Sequence, residues 1–136
     1  MSDHYLAFKF THVLIAIVAF GSGAAATLVP AAWARKILWV LVLPGYVLML
    51  ATGMWMGHLA NLLDAHWTEA AMNLWGVGAL FLGLALAALQ RQVRLDAQPG
   101  HDARARHRAV LLGRVSGTGA AVIVLLILHF MVFKPA

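Results

Sequence analysis

Four long apolar runs separated by short polar breaks make up almost the whole chain. They cover about residues 5–29, 38–57, 69–90 and 110–133, the first ending at Pro30. At about 1.5 Å per helical residue, a run of roughly 20 residues crosses the ~30 Å hydrocarbon layer of a bilayer. Helices surrounded by lipid are apolar on all sides, so no single apolar stripe is required. A transmembrane barrel would show shorter segments of alternating character. The first run is too long for the core of a signal peptide, has no basic segment before it and no polar domain after it, and is expected to remain as a span. The pattern predicts an all-α fold: a four-helix transmembrane bundle in up-and-down order, forming one membrane domain over residues 1–136.

Composition agrees. Of 136 residues, 62% are hydrophobic and 11% charged, with a mean hydropathy of +0.83. Soluble domains average about 45–50% apolar and about 25% charged residues, and a globule this small cannot bury such an excess. A soluble or disordered chain is excluded. The chain has no cysteine, which removes disulfides, thiolate metal sites, iron–sulfur clusters and covalent haem attachment.

The net charge of +5 changes the picture through its placement. Of the ten Lys and Arg residues, only Lys9 and Lys134 lie away from two turns, one with Arg35 and Lys36, the other with Arg91, Arg94, Arg104, Arg106 and Arg108 and with Arg114 just inside the next run. Basic turns stay in the cytoplasm, so both termini and the connection between the second and third spans are expected outside. With its cations at membrane surfaces, the chain is not expected to bind nucleic acid.

This topology sorts the seven histidines. His101 and His107 belong to the solvated basic turn. His4, His58 and His66 fit ordinary interfacial polarity, although with Asp64 they also supply imidazole and carboxylate groups for a metal patch. His12 and His129 stand inside apolar runs, where ionisable residues are costly and face a partner or the bundle interior. With span centres near residues 18 and 121, His12 lies roughly 9 Å and His129 roughly 12 Å outward of the midplane. The first and last helices of an up-and-down bundle are expected to be neighbours, and cofactors are held between facing helices. Two readings stay open. Each imidazole hydrogen-bonds a neighbouring helix or headgroup, or a neutral ring nitrogen ligates haem iron. Met54, at comparable depth on the second span, is an alternative axial ligand or plain packing, and His58 is a further candidate for the metal.

Small residues follow His12 on one helical face, Ala16, Ala19 and Gly23, and Gly113, Gly117 and Ala121 repeat the arrangement in the fourth span. Such ridges let helices approach closely in lipid. Trp55, Trp67 and Trp75 toward the outer side, and Trp33 and Trp39 toward the inner, read as interfacial belts. Pro44-Gly45 marks a candidate kink early in the second span. Glu69, the only glutamate, reads as a charge at a helix N-terminus. No span carries the paired carboxylates of acid–base catalysis, a carboxylate for a proton relay or a phosphate-binding loop, and no catalytic residue is assigned.

Phe8-Lys9-Phe10-Thr11-His12 opening the first span, Leu43-Pro44-Gly45 in the second and Met131-Val132-Phe133-Lys134-Pro135 closing the fourth together resemble one small membrane superfamily. It contains the HemJ-type protoporphyrinogen oxidases, CopD-like copper-resistance proteins and an uncharacterised family of predicted bacterial integral membrane proteins, to which the chain is most similar. The resemblance implies a multi-pass protein of the bacterial inner (cytoplasmic) membrane, with His12 at the position of a haem ligand. The oxidases carry a basic residue shortly after a third-span tryptophan, whereas Trp67 is followed here by Thr68, Glu69, Ala70 and Ala71. Their Asn-Glu feature before the last span is likewise absent, with Arg114-Val115-Ser116 nearby instead. The expectation is a membrane-bound haem b protein with an electron-transfer or redox role near the outer face, working with a membrane redox partner or a larger membrane complex and ligating iron through His12, His129 or Met54. The alternatives are a non-catalytic accessory subunit of a membrane complex and copper handling through the outer histidines and Met54 or Met56.

Overall fold

The computed structural model describes residues 3–100 and 102–133, the side chains of Met131 and Val132 excepted. His101 and the Lys134-Pro135 end of the fourth-span motif lie outside the described residues. The fold class is as expected. Four helices, α1 (Asp3–Ala26), α2 (Ala31–Leu59), α3 (His66–Asp96) and α4 (Ala103–Phe133), are each long and apolar enough to cross a membrane, and the described residues contain no strand. The helices α2, α3 and α4 begin earlier than their apolar runs, because hydropathy marks only the part that matches hydrocarbon while backbone hydrogen bonding continues into the polar ends.

The turn into α2 is set by Pro30, whose carbonyl accepts from the amides of Trp33 and Ala34 at 2.9 Å. Within α2, residues Leu38–Val42 form a π-helical segment, and the amide of Leu43 reaches back to the carbonyl of Leu38. Pro44 explains it. Proline has no amide hydrogen and its ring crowds the carbonyl four residues back, here Val40. Widening the preceding turn to a five-residue bond relieves that conflict without ending the helix.

The other end of α2 closes in a Schellman turn. The amide of Leu62 bonds the carbonyl of Gly57 at 2.9 Å and that of Asn61 bonds His58 at 3.2 Å, with Asn61 in the left-handed region at φ 53°. Asparagine is among the few side chains that accept this conformation. Helix α4 starts at Asp102, whose carboxylate accepts the Arg104 amide at 2.9 Å.

Packing proceeds in two antiparallel pairs. In the first, small residues let α1 lie directly on α2: a Cβ on Gly45 would stand 2.7 Å from Ala19 Cβ, and Ala19 is only 2% exposed. Contact continues at Gly23 with Val42 and at Gly53 with His12. In the second pair, Gly113 meets Ala88, Gly119 lies under the Phe81 ring, and Ser116 is buried at 2% exposure. The first-span ridge therefore serves the α1–α2 pair, whereas of the anticipated fourth-span ridge only Gly113 meets α3: Gly117 has nothing within 4 Å of its Cβ position and Ala121 is exposed, the contacts falling instead at Ser116 and Gly119.

The pairs join through α2 and α3, chiefly toward the end that carries the basic turns. Ala26, Ala34, Leu38, Tyr46, Leu82 and Leu86 form the shared core, and Arg35 donates to the Gln90 side-chain oxygen at 3.0 Å. Tyr46 closes this junction. Its hydroxyl donates to the Trp75 carbonyl at 2.7 Å, the Trp75 indole donates to the Tyr46 carbonyl at 3.4 Å, and the rings stack at 5.0 Å. Gly78 leaves the space that the hydroxyl fills. Trp75 is thus a core residue and not a belt residue, while Trp33, Trp39 and Trp55 are exposed. The expected adjacency of first and last helices is not found: α1 packs on α2, α4 packs on α3, and no extensive interface joins α1 to α4.

Candidate functional site

His12 is held where α1 packs on the C-terminal half of α2. Its ring lies against Gly53, where a Cβ would stand 3.4 Å from the imidazole Cε1, so the absence of a side chain there admits the ring between the helices. The ring is half-buried, and its Nδ1 is 2.7 Å from Thr52 Oγ1. Thr52 Oγ1 also lies 2.8 Å from the carbonyl of Leu48 and 3.2 Å from that of Met49, the bonds a helical threonine makes to its own backbone. When its single hydrogen serves a carbonyl, the Thr52 oxygen accepts from His12 Nδ1–H; in the other tautomer the hydroxyl donates to Nδ1. A neutral imidazole carries a single N–H. With that hydrogen on Nδ1, Nε2 presents a lone pair.

This is the arrangement in which an imidazole acts as a metal ligand or proton acceptor. Ligating histidines donate their other ring nitrogen to a nearby oxygen, which fixes tautomer and orientation. Beside the ring, Phe8, Ala51, Thr52 and Trp55 line a shallow open cavity of about 290 Å³, with the Phe8 and Trp55 rings 6.0 Å apart. Its walls are apolar except for Thr52.

The other candidates are placed differently. His129 is exposed, and its ring contacts are with Phe133 at 4.6 Å and Phe130 at 6.1 Å on its own helix. No hydrogen bond or ring contact joins it to His12. Met54 follows Thr52 by two residues, which turns it about 200° around the helix, and it is 44% exposed. It does not share the face that meets His12. Met56, four residues after Thr52, does share that face and is half-buried.

His58 belongs to the end of α2, at the connection to α3. With Asn61, Leu63 and Asp64 it lines a cavity of about 190 Å³ formed by the Schellman turn, and its ring stands 6.5 Å from that of Trp55. His4 and His66 are exposed at the starts of α1 and α3. Among the described residues, no three His, Cys, Asp or Glu side chains gather into a set able to hold a metal ion. The outer patch of His4, His58, Asp64 and His66 is thus not assembled; only His58 and Asp64 share a cavity.

Thr52 is the site residue that sequence reading missed. The signal was present in the register of α1 on α2, where His12–Gly53, Ala19–Gly45 and Gly23–Val42 are successive antiparallel contacts. Aligning the small residues of the two runs would have put Thr52 beside His12. No family model, no curated protein and no solved structure matches the chain.

Proposed function

We propose that this protein binds haem b within the membrane through His12 and serves an electron-transfer or redox role near the outer face, with a membrane redox partner. The reading includes a relation to the superfamily of HemJ-type and CopD-like proteins and a place in the bacterial inner membrane. One observation carries it: His12 Nδ1 lies 2.7 Å from Thr52 Oγ1, whose hydroxyl also reaches the Leu48 and Met49 carbonyls, and with Nδ1 as the donor Nε2 presents a lone pair inside an apolar span.

The residues fit the group as a single-imidazole site. His12 Nε2 would hold the iron, Thr52 as acceptor would keep the ring in the ligating tautomer, and Phe8, Ala51 and Trp55 would offer apolar surface for a flat macrocycle. Haem iron supplies one-electron exchange when bound. His129, whose ring contacts among the described residues lie within its own helix, would be the further imidazole candidate for the iron.

Haem titration of purified protein tests this. Wild type should bind one equivalent, His12→Ala should lose binding, and Thr52→Val should weaken it by about 10–100-fold, the usual effect of removing a ligand's outer hydrogen-bond partner. Equal binding by wild type and His12→Ala would overturn the proposal. Protoporphyrinogen oxidation is not part of it, because Ala70 and Ala71 stand where the resembling enzymes carry a basic residue. Complementation of a strain lacking that enzyme should fail.

A further inference from the structure

The connection between α3 and α4 carries more positive charge than the protein neutralises. Arg91 and Arg94 lie near the end of α3, and Arg104, Arg106, Arg108 and Arg114 fall along the start of α4. Only two carboxylates answer them. Asp96 is taken by Arg106 at 2.7 Å, and Asp102 caps α4. The side chains of Arg91, Arg94, Arg104, Arg108 and Arg114 are exposed, and among the described residues none has a hydrogen bond or ion pair within the chain.

Two of these cations head a stripe. Residues three, four and seven apart share one helical face, so Arg104 and Arg108 are followed on their own face by Leu111, Leu112 and Val115. Those three are 54%, 45% and 58% exposed. The face reads from one end as two guanidinium groups and then as bare apolar surface, over about 16 Å of helix. Arg114 flanks the apolar part. An isolated cation at that depth is costly, and its stem can run along the helix to return the charge to the membrane surface.

We propose that this face of α4 binds an anionic phospholipid. Arg104 and Arg108 meet the phosphate, Leu111, Leu112 and Val115 lie along an acyl chain, and Arg91, Arg94 and Arg114 supply the surrounding positive field. Charge complementarity selects the headgroup, and the apolar continuation selects a lipid over a free phosphate. This inference does not depend on the haem reading.

The test is native mass spectrometry of the full chain in detergent, titrated with phosphatidylglycerol or phosphatidylcholine. Wild type should retain phosphatidylglycerol preferentially. The double variant Arg104→Gln/Arg108→Gln should bind it about 25-fold more weakly, at roughly fivefold per basic residue removed near a membrane surface. Arg104→Lys/Arg108→Lys keeps the charge and should keep the preference, which separates electrostatics from misfolding. Equal retention of both lipids by wild type, or an unchanged preference in the Gln pair, would overturn the proposal. So would competition by glycerol phosphate as strong as that by the lipid.

Discussion

Thr52 carries no charge and sits in no recognisable motif, yet its hydroxyl lies 2.7 Å from His12 Nδ1 and, as an acceptor, would hold the ring hydrogen there. Replacing it with valine keeps size and branching but removes the acceptor. The expected result is an imidazole free to change tautomer, seen as a changed ¹⁵N pattern for the His12 ring in labelled protein; an unaltered pattern would mean that Thr52 does not fix the ring. Tyr46 makes a second such prediction. Tyr46→Phe removes the hydroxyl that bonds the Trp75 carbonyl while keeping the stacked ring. Hydrogen bonds between membrane helices average about 0.6 kcal/mol, so unfolding in mixed micelles should show a loss of roughly that size. At this scale the sequence was only partly legible. His12 stood out because a histidine in an apolar run is conspicuous, whereas Thr52 and Tyr46 are polar groups cheap enough to occur in spans without signalling a partner.

The helices themselves were legible as apolar length, and their ends were not. The π segment at Leu38–Val42 and the Schellman turn at Asn61 come from backbone accommodation of Pro44 and from asparagine's tolerance of positive φ. Hydropathy reports neither. The small-residue ridge of the first span was read correctly as a packing surface, while in the fourth span the close contacts fall at Gly113, Ser116 and Gly119 and not at Gly117 or Ala121; the partners depend on which helices pair, with α2 and α3 meeting at the Arg35–Gln90 end. Here the prediction is a contrast between glycines. Gly45→Ala forces a methyl against Ala19 and should destabilise the α1–α2 pair by about 1–3 kcal/mol, the usual cost of overpacking. Gly83→Ala meets nothing within 4 Å and should be neutral or stabilising by up to about 1 kcal/mol, because alanine favours helix over glycine. Thermal unfolding of the two variants in one detergent gives the comparison, and equal melting temperatures would contradict the close approach.

At the scale of the molecule, two helix pairs share one junction, with the His12 site on the first pair and the unpaired arginines on the second. Cation placement predicts that these features lie on opposite sides of the membrane. With no native cysteine to interfere, Ala65→Cys should react with an impermeant maleimide in intact cells and Ala97→Cys should not; the reverse pattern would place the His12 end in the cytoplasm. Four spans could be read from sequence because lipid imposes their length. The separation of α1 from α4 could not, because composition gives no order of packing. Whether this arrangement holds haem is answered most directly by the absorption spectrum of the protein purified from haem-replete cells, before and after dithionite. The account predicts a Soret band with α and β bands that sharpen on reduction in wild type, and their loss in His12→Ala. A colourless wild-type protein would contradict it.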